Sequence, residues 1–224
     1  MSDFLDLARN RRSRRDFSRQ PVEFELVIEV VRAATYAPSV GGMQPWHFII
    51  LTDPGVKDAV CDNCPGQSWM RNAPVLIVFC GSSGKVDDFY PRFGDKWLAQ
   101  TLAACMQNGL LAAQELGLGA CWVSSFDELN IRDVLKIPDG HRPEAILVLG
   151  YSRETPADKA LLPLDQVVFL NFFGGKVTEK AAVLRDWGEH FRKKKDDFVA
   201  SQPEKKSFSE QAKSFFKKPK KPEE

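Results

Sequence analysis

The sequence predicts an α+β protein in which helices cover the faces of a mixed β-sheet. Helical and strand-like segments alternate along the chain, but their order gives no regular βαβ repeat, which argues against a doubly wound parallel sheet. The 224 residues are enough for one folded core, and 43% of them are hydrophobic, as is usual for a globular protein.

Apolar residues at helical spacing predict the first helix over residues 23–36, between Pro21 and Pro38. A long apolar helix over residues 95–116 ends before Gly117, and Asp127 is expected to cap a shorter helix that runs to residue 135. Short apolar runs predict buried strands at residues 47–52, 75–80, 120–123 and 145–149. The late segment 165–170 is also strand-like, and it is a candidate for pairing outside its own subunit.

The charge is unevenly distributed along the chain. Residues 1–189 carry 20 Lys and Arg against 24 Asp and Glu, whereas residues 190–224 carry 11 against 6. The end of the chain is therefore a separate basic region, for which a solvated tail and a contact surface for nucleic acid or another acidic partner both remain open. Because no apolar run is long enough to span a bilayer and no secretory signal is evident, we expect a cytoplasmic protein.

The five cysteines do not have the pattern of a disulfide framework, since their number is odd and three lie in apolar runs. Cys61 and Cys64 have the spacing of a redox pair or of half a zinc site, but no second pair lies at ligand spacing. We therefore predict no metal site. The common dinucleotide-binding, P-loop and serine-hydrolase motifs also fail on their glycine positions.

A cluster of six arginines, with only one acidic residue, lies within residues 9–19. Arginine binds phosphate oxygens through paired, charge-assisted hydrogen bonds, and Ser13 adds a hydroxyl donor. The cluster suits a bound phosphate. From the residues alone, a solvated basic segment or a nonspecific RNA contact is an equally open interpretation.

Four segments, taken in order, resemble the FMN-dependent nitroreductase family. They are residues 11–17 (RRSRRDF), 37–48 (APSVGGMQPWHF), 116–126 (LGLGACWVSSF) and 137–151, within a resemblance that spans about residues 9–170. The resemblance implies a homodimeric three-layer α/β/α sandwich with a mixed, mainly antiparallel sheet and two FMN molecules at the dimer interface. It assigns residues 1–184 to the FMN-binding domain and leaves residues 185–224 as a basic, initially helical extension.

The resemblance also implies where FMN is bound. Arg11, Arg12 and Ser13 would hold the phosphate and ribityl chain, and Arg15 would approach the pyrimidine edge of the flavin. Reduction leaves negative charge at that edge, so a cation there stabilises the reduced ring. The further contacts would come from a loop of the other subunit, a turn before the second strand, the end of the third strand and a late lysine: Pro38, Ser39, Val40, Gly42 and Gln44, then Gln67, then Val123, Ser124 and Ser125, then Lys159.

Several positions depart from the family pattern. Gly42 stands where many relatives have asparagine, and Ser124-Ser125 replaces a pair that usually includes glycine. Leu161 occupies a position that is often basic, so Lys159 is expected to substitute for it. These departures bear on the acceptor more than on FMN binding.

The resemblance implies that NADH or NADPH reduces FMN, leaves, and is replaced by a small electron-poor acceptor, with no catalytic side chain acting as a nucleophile. Four aromatic residues are candidate walls of the acceptor pocket, although core packing is the favoured interpretation: Phe89, Tyr90, Phe93 and Trp97. The alternatives are a specialised flavin enzyme of dehalogenating, dehydrogenating or flavin-fragmenting type, and a regulatory protein that binds flavin or nucleic acid.

Overall fold

The computed structural model describes residues 4–157 and 159–175, in which seven α-helices and four strands are found. The helices are α1 (Phe4–Asn10), α2 (Phe24–Thr35), α3 (Pro54–Asp62), α4 (Ser83–Asp87), α5 (Gly94–Glu115), α6 (Glu128–Leu135) and α7 (Leu164–Val167). The strands are β1 (Trp46–Leu51), β2 (Val75–Ser82), β3 (Gly119–Val123) and β4 (His141–Gly150). Two short 3₁₀ turns lie at Val40–Gly42 and Ser68–Asn72.

The four strands form one sheet in the order β1-β2-β4-β3, and every pair of neighbouring strands is antiparallel. The two central strands carry apolar runs, residues 75–80 of β2 and 145–150 of β4, because both of their faces are covered there. The predicted α+β class and the mainly antiparallel sheet are therefore confirmed. A parallel bridge between Ser13 and Ala120 adds the arginine-rich segment to the outer edge of β3.

Side chains that alternate along the central strands enter two separate cores. Leu76 and Val78 pack on one face with α3, α6 and the second 3₁₀ turn. Ile77 and Phe79 pack on the opposite face with α2 and α5. This period of two follows from the pleat of a β-strand, and it produces the three layers that were predicted.

The predicted helices and strands correspond to α2, α5, α6 and the four strands of the sheet, with β4 beginning four residues earlier than expected. Three helices were missed, namely α1, α3 and α4. The sequence does contain a start signal for α3, namely an aspartate followed by a proline. In the structure the Asp53 carboxylate caps the helix by accepting a hydrogen bond from the Val56 amide at 2.9 Å, and Pro54 is the first helical residue.

The strand predicted at residues 165–170 is wrong. Residues Leu164–Val167 form one helical turn, in which the Val168 amide donates to the Leu164 carbonyl at 2.8 Å. Pro163 precedes this turn with a fixed φ of −55°, and Asn171 at φ +68° then reverses the chain. The apolar run at residues 167–170 is therefore an exposed apolar segment and not a strand of the sheet described here.

The chain divides into two units, Met1–Asp158 and Lys159–Glu224. The predicted boundary after residue 184, and the basic extension that follows it, lie outside the described residues and stay predictions. None of the helices that the structure describes is both long and apolar enough to cross a membrane.

Gly150→Ala is expected to lower the free energy of unfolding by about 1–3 kcal/mol, because overpacking of a tight core is destabilising. A Cβ atom at Gly150 would lie 2.5 Å from Pro74 Cδ and 3.1 Å from Phe17 Cδ1. Gly84→Ala is the matched control, since its nearest such contact is at 3.8 Å and alanine favours the helix. Urea denaturation measures both, and equal stabilities of the two variants would contradict the expectation.

Candidate active site

The arginine-rich segment is held against the start of β3. The Arg14 amide donates to the Ala120 carbonyl at 3.0 Å. On the other side of the segment, the Glu154 carboxylate accepts from the amides of Arg15 at 3.1 Å and Asp16 at 3.1 Å. The backbone of residues 13–16 is thus fixed between the sheet edge and the chain that follows β4.

Two of the arginines are used to hold this segment in place. The Arg12 guanidinium donates to the Ala157 carbonyl at 3.3 Å, to the Arg11 carbonyl at 3.0 Å, and also to the Arg9 carbonyl. The Arg14 guanidinium donates to the Glu154 carbonyl at 2.5 Å. These two side chains therefore have much of their hydrogen-bonding capacity committed to the backbone.

Arg11 and Arg15 are different, because their guanidinium groups make no hydrogen bond or ion pair within residues 4–157 and 159–175. Burial raises the pKa of the Cys121 thiol on β3. The positive charges of Arg15 and Arg11 and a hydrogen bond from Ser13 act to lower that pKa, whereas the Glu154 carboxylate acts to raise it. The bridge from Ser13 to Ala120 places this segment at the start of β3. An anion bound there would meet two cations and a hydroxyl donor.

The opposite end of β3 opens onto a cavity of about 480 Å³, lined by Trp122, Ser124 and Phe126 among others. The Trp122 indole N–H donates to the Ser124 hydroxyl at 2.6 Å, and Ser124 and Ser125 are exposed. Four residues of strand separate Ala120 from Ser124, which corresponds to about 13 Å. A ligand with an anionic end and a flat end could therefore lie along this edge of the sheet.

The loop at residues 37–45 is anchored on the first turns of α5. The Val40 amide donates to the buried Thr101 hydroxyl at 3.1 Å, and Lys85 Nζ donates to the Met43 carbonyl at 2.7 Å. Within the loop, the Gln44 amide donates to Ser39 Oγ at 3.1 Å. Gly41 and Gly42 both have positive φ values, 54° and 66°, which glycine adopts without steric cost.

The loop and the arginine-rich segment lie at opposite ends of α5 within one chain. Thr101 is in the second turn of the helix, whereas Ala120, which binds Arg14, lies five residues beyond Glu115. Fourteen residues of helix between Thr101 and Glu115 span about 21 Å. Within one chain, the anchor of the loop at Thr101 and the anchor of the arginine-rich segment at Ala120 are therefore well separated.

Three further predicted contacts lie in three different parts of the chain, at Gln67, Val123 and Lys159. Gln67 lies beside the second 3₁₀ turn, where its Oε1 accepts from the Trp69 indole N–H at 2.9 Å, and Trp69 in turn lies under Arg15. Val123 is buried at the end of β3. Lys159 belongs to the second unit and is exposed, so its contact with a cofactor stays a prediction.

Comparison with known proteins identifies the family. The model of the nitroreductase family matches residues 8–65 and 59–151. The chain belongs to the nitroreductase family. A proposed NADH dehydrogenase/NAD(P)H nitroreductase of Methanothermobacter thermautotrophicus is 31% identical over 171 residues, which cover 74% of this chain and 85% of that protein.

Two further members carry flavin in their names. An FMN reductase [NAD(P)H] of Bacillus subtilis is 25% identical over 182 residues, covering 75% of this chain and 73% of that protein. An FMN-dependent nitroreductase of Clostridium difficile has a solved structure that is 27% identical, with a TM-score of 0.66 over 75% of this chain and all of that chain. The predicted membership of the nitroreductase family is thus confirmed.

Sequence reasoning missed two residues that contact the predicted site residues, Trp69 and Glu154. Trp69 lies two positions after Gln67, so a place near the predicted Gln67 contact could have been inferred for it from the sequence. The hydrogen bond from the Arg15 amide to the Glu154 carboxylate joins residues 139 apart in the chain, so no local sequence pattern predicts it.

The favoured interpretation of the four aromatics at residues 89–97 as core residues is wrong for two of them. Phe89 and Phe93 are 71% and 48% exposed. Trp97 makes an edge contact with Tyr90 at 4.8 Å and stacks with Phe93 at 5.3 Å, next to a cavity of about 380 Å³ that Val40 and Gly41 also line. This aromatic cluster lies over the start of α5 beside the loop, so solvent reaches it.

The five cysteines are free and buried. Cys64 Sγ donates to the Val60 carbonyl at 3.3 Å, and burial raises the pKa of Cys64 to about 12. Among the described residues, no group of three or more His, Cys, Asp or Glu is placed to hold a metal ion. Cys61 lies in the last turn of α3 and Cys64 is the second residue after that helix, and both side chains belong to the same core cluster.

Native protein at pH 8 is expected to react with a thiol reagent far more slowly than protein in denaturant. With the pKa of Cys64, Cys80 and Cys105 raised to about 12, only about one thiol in ten thousand is ionised at that pH. The rate should increase with pH, since the thiolate is the reactive form. Rapid labelling of Cys61 or Cys64 at pH 8 would contradict this account.

Proposed function

We propose that this nitroreductase-family chain is an FMN-dependent oxidoreductase that passes electrons from NADH or NADPH to a small electron-poor acceptor, namely a nitroaromatic, a quinone or a free flavin. One observation carries the proposal. Arg11 and Arg15 flank Ser13, whose bridge to Ala120 fixes this segment on the start of β3, and their guanidinium groups have no hydrogen-bond or ion-pair partner in the described residues, while the cavity beside Ser124 opens at the other end of the strand.

The residues present fit FMN, whose phosphate needs cationic donors and whose ring needs an open, largely apolar recess. Arg11 and Ser13 would hold the phosphate and ribityl chain through charge-assisted hydrogen bonds. Arg12 would support them, because its guanidinium fixes the segment through backbone carbonyls. Bound FMN would supply the hydride chemistry, and Arg15 would stabilise negative charge on the pyrimidine edge.

The proposed enzyme is a homodimer with two shared sites. The loop of residues 37–45 is anchored at Thr101 near the start of α5, whereas the arginine-rich segment is bound at Ala120 beyond the end of that helix, and we propose that the loop covering each FMN comes from a second copy. Pro38, Ser39, Val40, Gly42 and Gln44 would then cover the ring bound beside Ser124 and Ser125 of the other chain. Two copies related by a two-fold axis complete two such sites.

The second unit supports dimer formation. Nine large apolar side chains are exposed within thirteen residues of this unit, an unusually dense set for a monomer. They are Leu161, Leu162, Leu164, Val167, Val168, Phe169, Leu170, Phe172 and Phe173. A second copy of the chain would bury them, and analytical ultracentrifugation is expected to give a dimer at micromolar concentration.

The absorption spectrum of the purified protein tests the cofactor directly. We expect flavin bands and release of FMN on denaturation, followed by turnover of nitroaromatics, quinones or free flavin with NADH or NADPH. Parallel lines in double-reciprocal plots would accord with the proposed ping-pong exchange in one pocket. An FMN-loaded sample that is inert toward all these acceptors would refute the proposed activity and favour a specialised or regulatory flavin protein. Localisation in the cytoplasm stays a prediction.

Gly42→Asn is expected to tighten FMN binding about two- to tenfold, the value of one added neutral hydrogen bond. A Cβ atom at Gly42 meets no atom within 4 Å, and asparagine tolerates its φ of +66° better than most residues. Gly41→Asn is the control, because its Cβ would lie 2.9 Å from the Tyr90 hydroxyl and would disturb the loop. Calorimetric titration with FMN measures both, and weaker binding by Gly42→Asn would contradict the placement of this loop.

A further inference from the structure

One indole connects two of the side chains that are proposed to bind FMN. The guanidinium carbon of Arg15 lies 5.9 Å from the centre of the Trp69 ring, within the range of a cation–π contact. The indole N–H of Trp69 donates to Gln67 Oε1 at 2.9 Å. Trp69 therefore touches both Arg15 and Gln67, although it was not among the predicted site residues.

Trp69 is itself held by the core and by a surface ion-pair cluster. Its ring stacks on Phe17 at 6.2 Å between centres, with an angle of 25° between the ring planes, and Phe17 is fully buried. The 3₁₀ turn that carries Trp69 is tied to α3, since Arg71 pairs with Asp58 at 3.1 Å and also with Asp62. The indole is thus a fixed platform rather than a free surface side chain.

This arrangement determines which groups remain for a ligand. An indole N–H is a donor only, so the Gln67 amide must present its oxygen to Trp69, which leaves its NH₂ group as a donor. Arg15 is also a donor only, and its guanidinium has no hydrogen-bond partner in the part of the chain that the structure describes. Arg15 over the face of the indole and Gln67 at its N–H edge are therefore two donor groups held by one ring.

We propose that Trp69 is a positioning residue that fixes Arg15 and Gln67 as a pair of hydrogen-bond donors for the electron-rich pyrimidine edge of the flavin, and that it thereby raises the reduction potential of the bound cofactor. The inference rests on the proposed function. Donors held in place favour the reduced ring, on which negative charge accumulates. Release of these donors from the indole lowers the potential.

The test is the midpoint potential of FMN bound to the wild-type dimer and to variants. Trp69→Leu removes both contacts and is expected to reduce the preference for reduced over oxidised FMN about tenfold, which is about 30 mV for a two-electron couple. Trp69→Phe keeps a ring under Arg15 but removes the N–H, so a smaller shift in the same direction is expected. Trp69→Phe also tests the proposal if Trp69→Leu does not fold.

A double-mutant cycle separates positioning from a merely structural role. Arg15→Met is expected to lower the potential at least as much as Trp69→Leu, and the double variant should show much less than the sum of the two shifts. Phe24→Leu, which removes an aromatic ring that is 57% exposed on α2, should leave the potential unchanged.

Two outcomes are distinguishable. If wild-type protein takes up no FMN, the proposed function fails and this inference fails with it. If wild-type protein binds FMN but both Trp69 variants have the wild-type potential, or the Arg15 and Trp69 shifts add fully, only the role of Trp69 is refuted.

Discussion

A heterodimer of two inactive variants, Arg11→Glu and Gly42→Trp, is expected to recover about half of the wild-type activity per dimer. Arg11→Glu repels the phosphate, and an indole at Gly42 would project from the loop into open space over the ring. In the mixed dimer one site carries both defects, whereas the other combines an intact Arg11 with an intact loop. Two different affinity tags allow the heterodimer to be purified, and turnover of a nitroaromatic measures the recovery.

The two homodimers are the controls, since each of their sites has one defect and both should be inactive. The left-handed φ of Gly42 costs an indole about 1–2 kcal/mol, so folding of that variant is checked by thermal denaturation. A heterodimer as inactive as the two homodimers would show that Arg11 and the loop of the same chain serve one site. The proposed exchange between subunits would then be wrong.

Arg11→Ala is expected to weaken FMN binding about a hundredfold to ten-thousandfold while leaving riboflavin binding unchanged. Two hydrogen bonds from a guanidinium to a charged phosphate contribute about 3–6 kcal/mol, and riboflavin lacks that phosphate. Fluorescence titration with both ligands measures the difference. The loss of FMN affinity should also shrink as salt is added, because part of it is electrostatic.

Two neighbouring arginines provide matched comparisons. Arg19→Ala removes an exposed arginine of the same basic segment and is expected to leave both affinities unchanged. Arg12→Ala releases three backbone carbonyls, so it should weaken FMN and riboflavin by similar factors. Equal losses of FMN affinity for Arg11→Ala and Arg19→Ala would indicate a diffuse basic surface instead of a phosphate site.

The parts of the fold that were predictable are those that local patterns determine. The helix α2 has one apolar face, and β2 and residues 145–150 of β4 form apolar runs because both of their faces are buried. The short helices α1 and α4 have no strong period, and α7 was misread because a short run of β-branched and aromatic residues in an exposed segment resembles a strand. These errors reflect tertiary context that no short window contains.

In the candidate site, too, local patterns were predictable and long-range contacts were not. The arginine cluster is continuous in sequence, and the order of four segments was enough to indicate the nitroreductase family. The anchoring of Val40 on Thr101 joins residues 61 apart, and the contact of Arg15 with Trp69 depends on how the second 3₁₀ turn packs on Phe17. Which arginines are free for a ligand and which bind backbone carbonyls could be learned only from the folded chain.

The bridge between Ser13 and Ala120 has a consequence for colloidal behaviour. The unpaired margin of a β-sheet is a template for intermolecular strand addition, and here the basic segment covers that margin at β3. If the same few residues bind the phosphate and cover the edge of β3, loss of the cofactor weakens their contact with the strand. The unpaired backbone N–H and C=O groups of that edge are then exposed to other chains. Retention of the flavin would then protect the enzyme against aggregation as well as equip it for turnover.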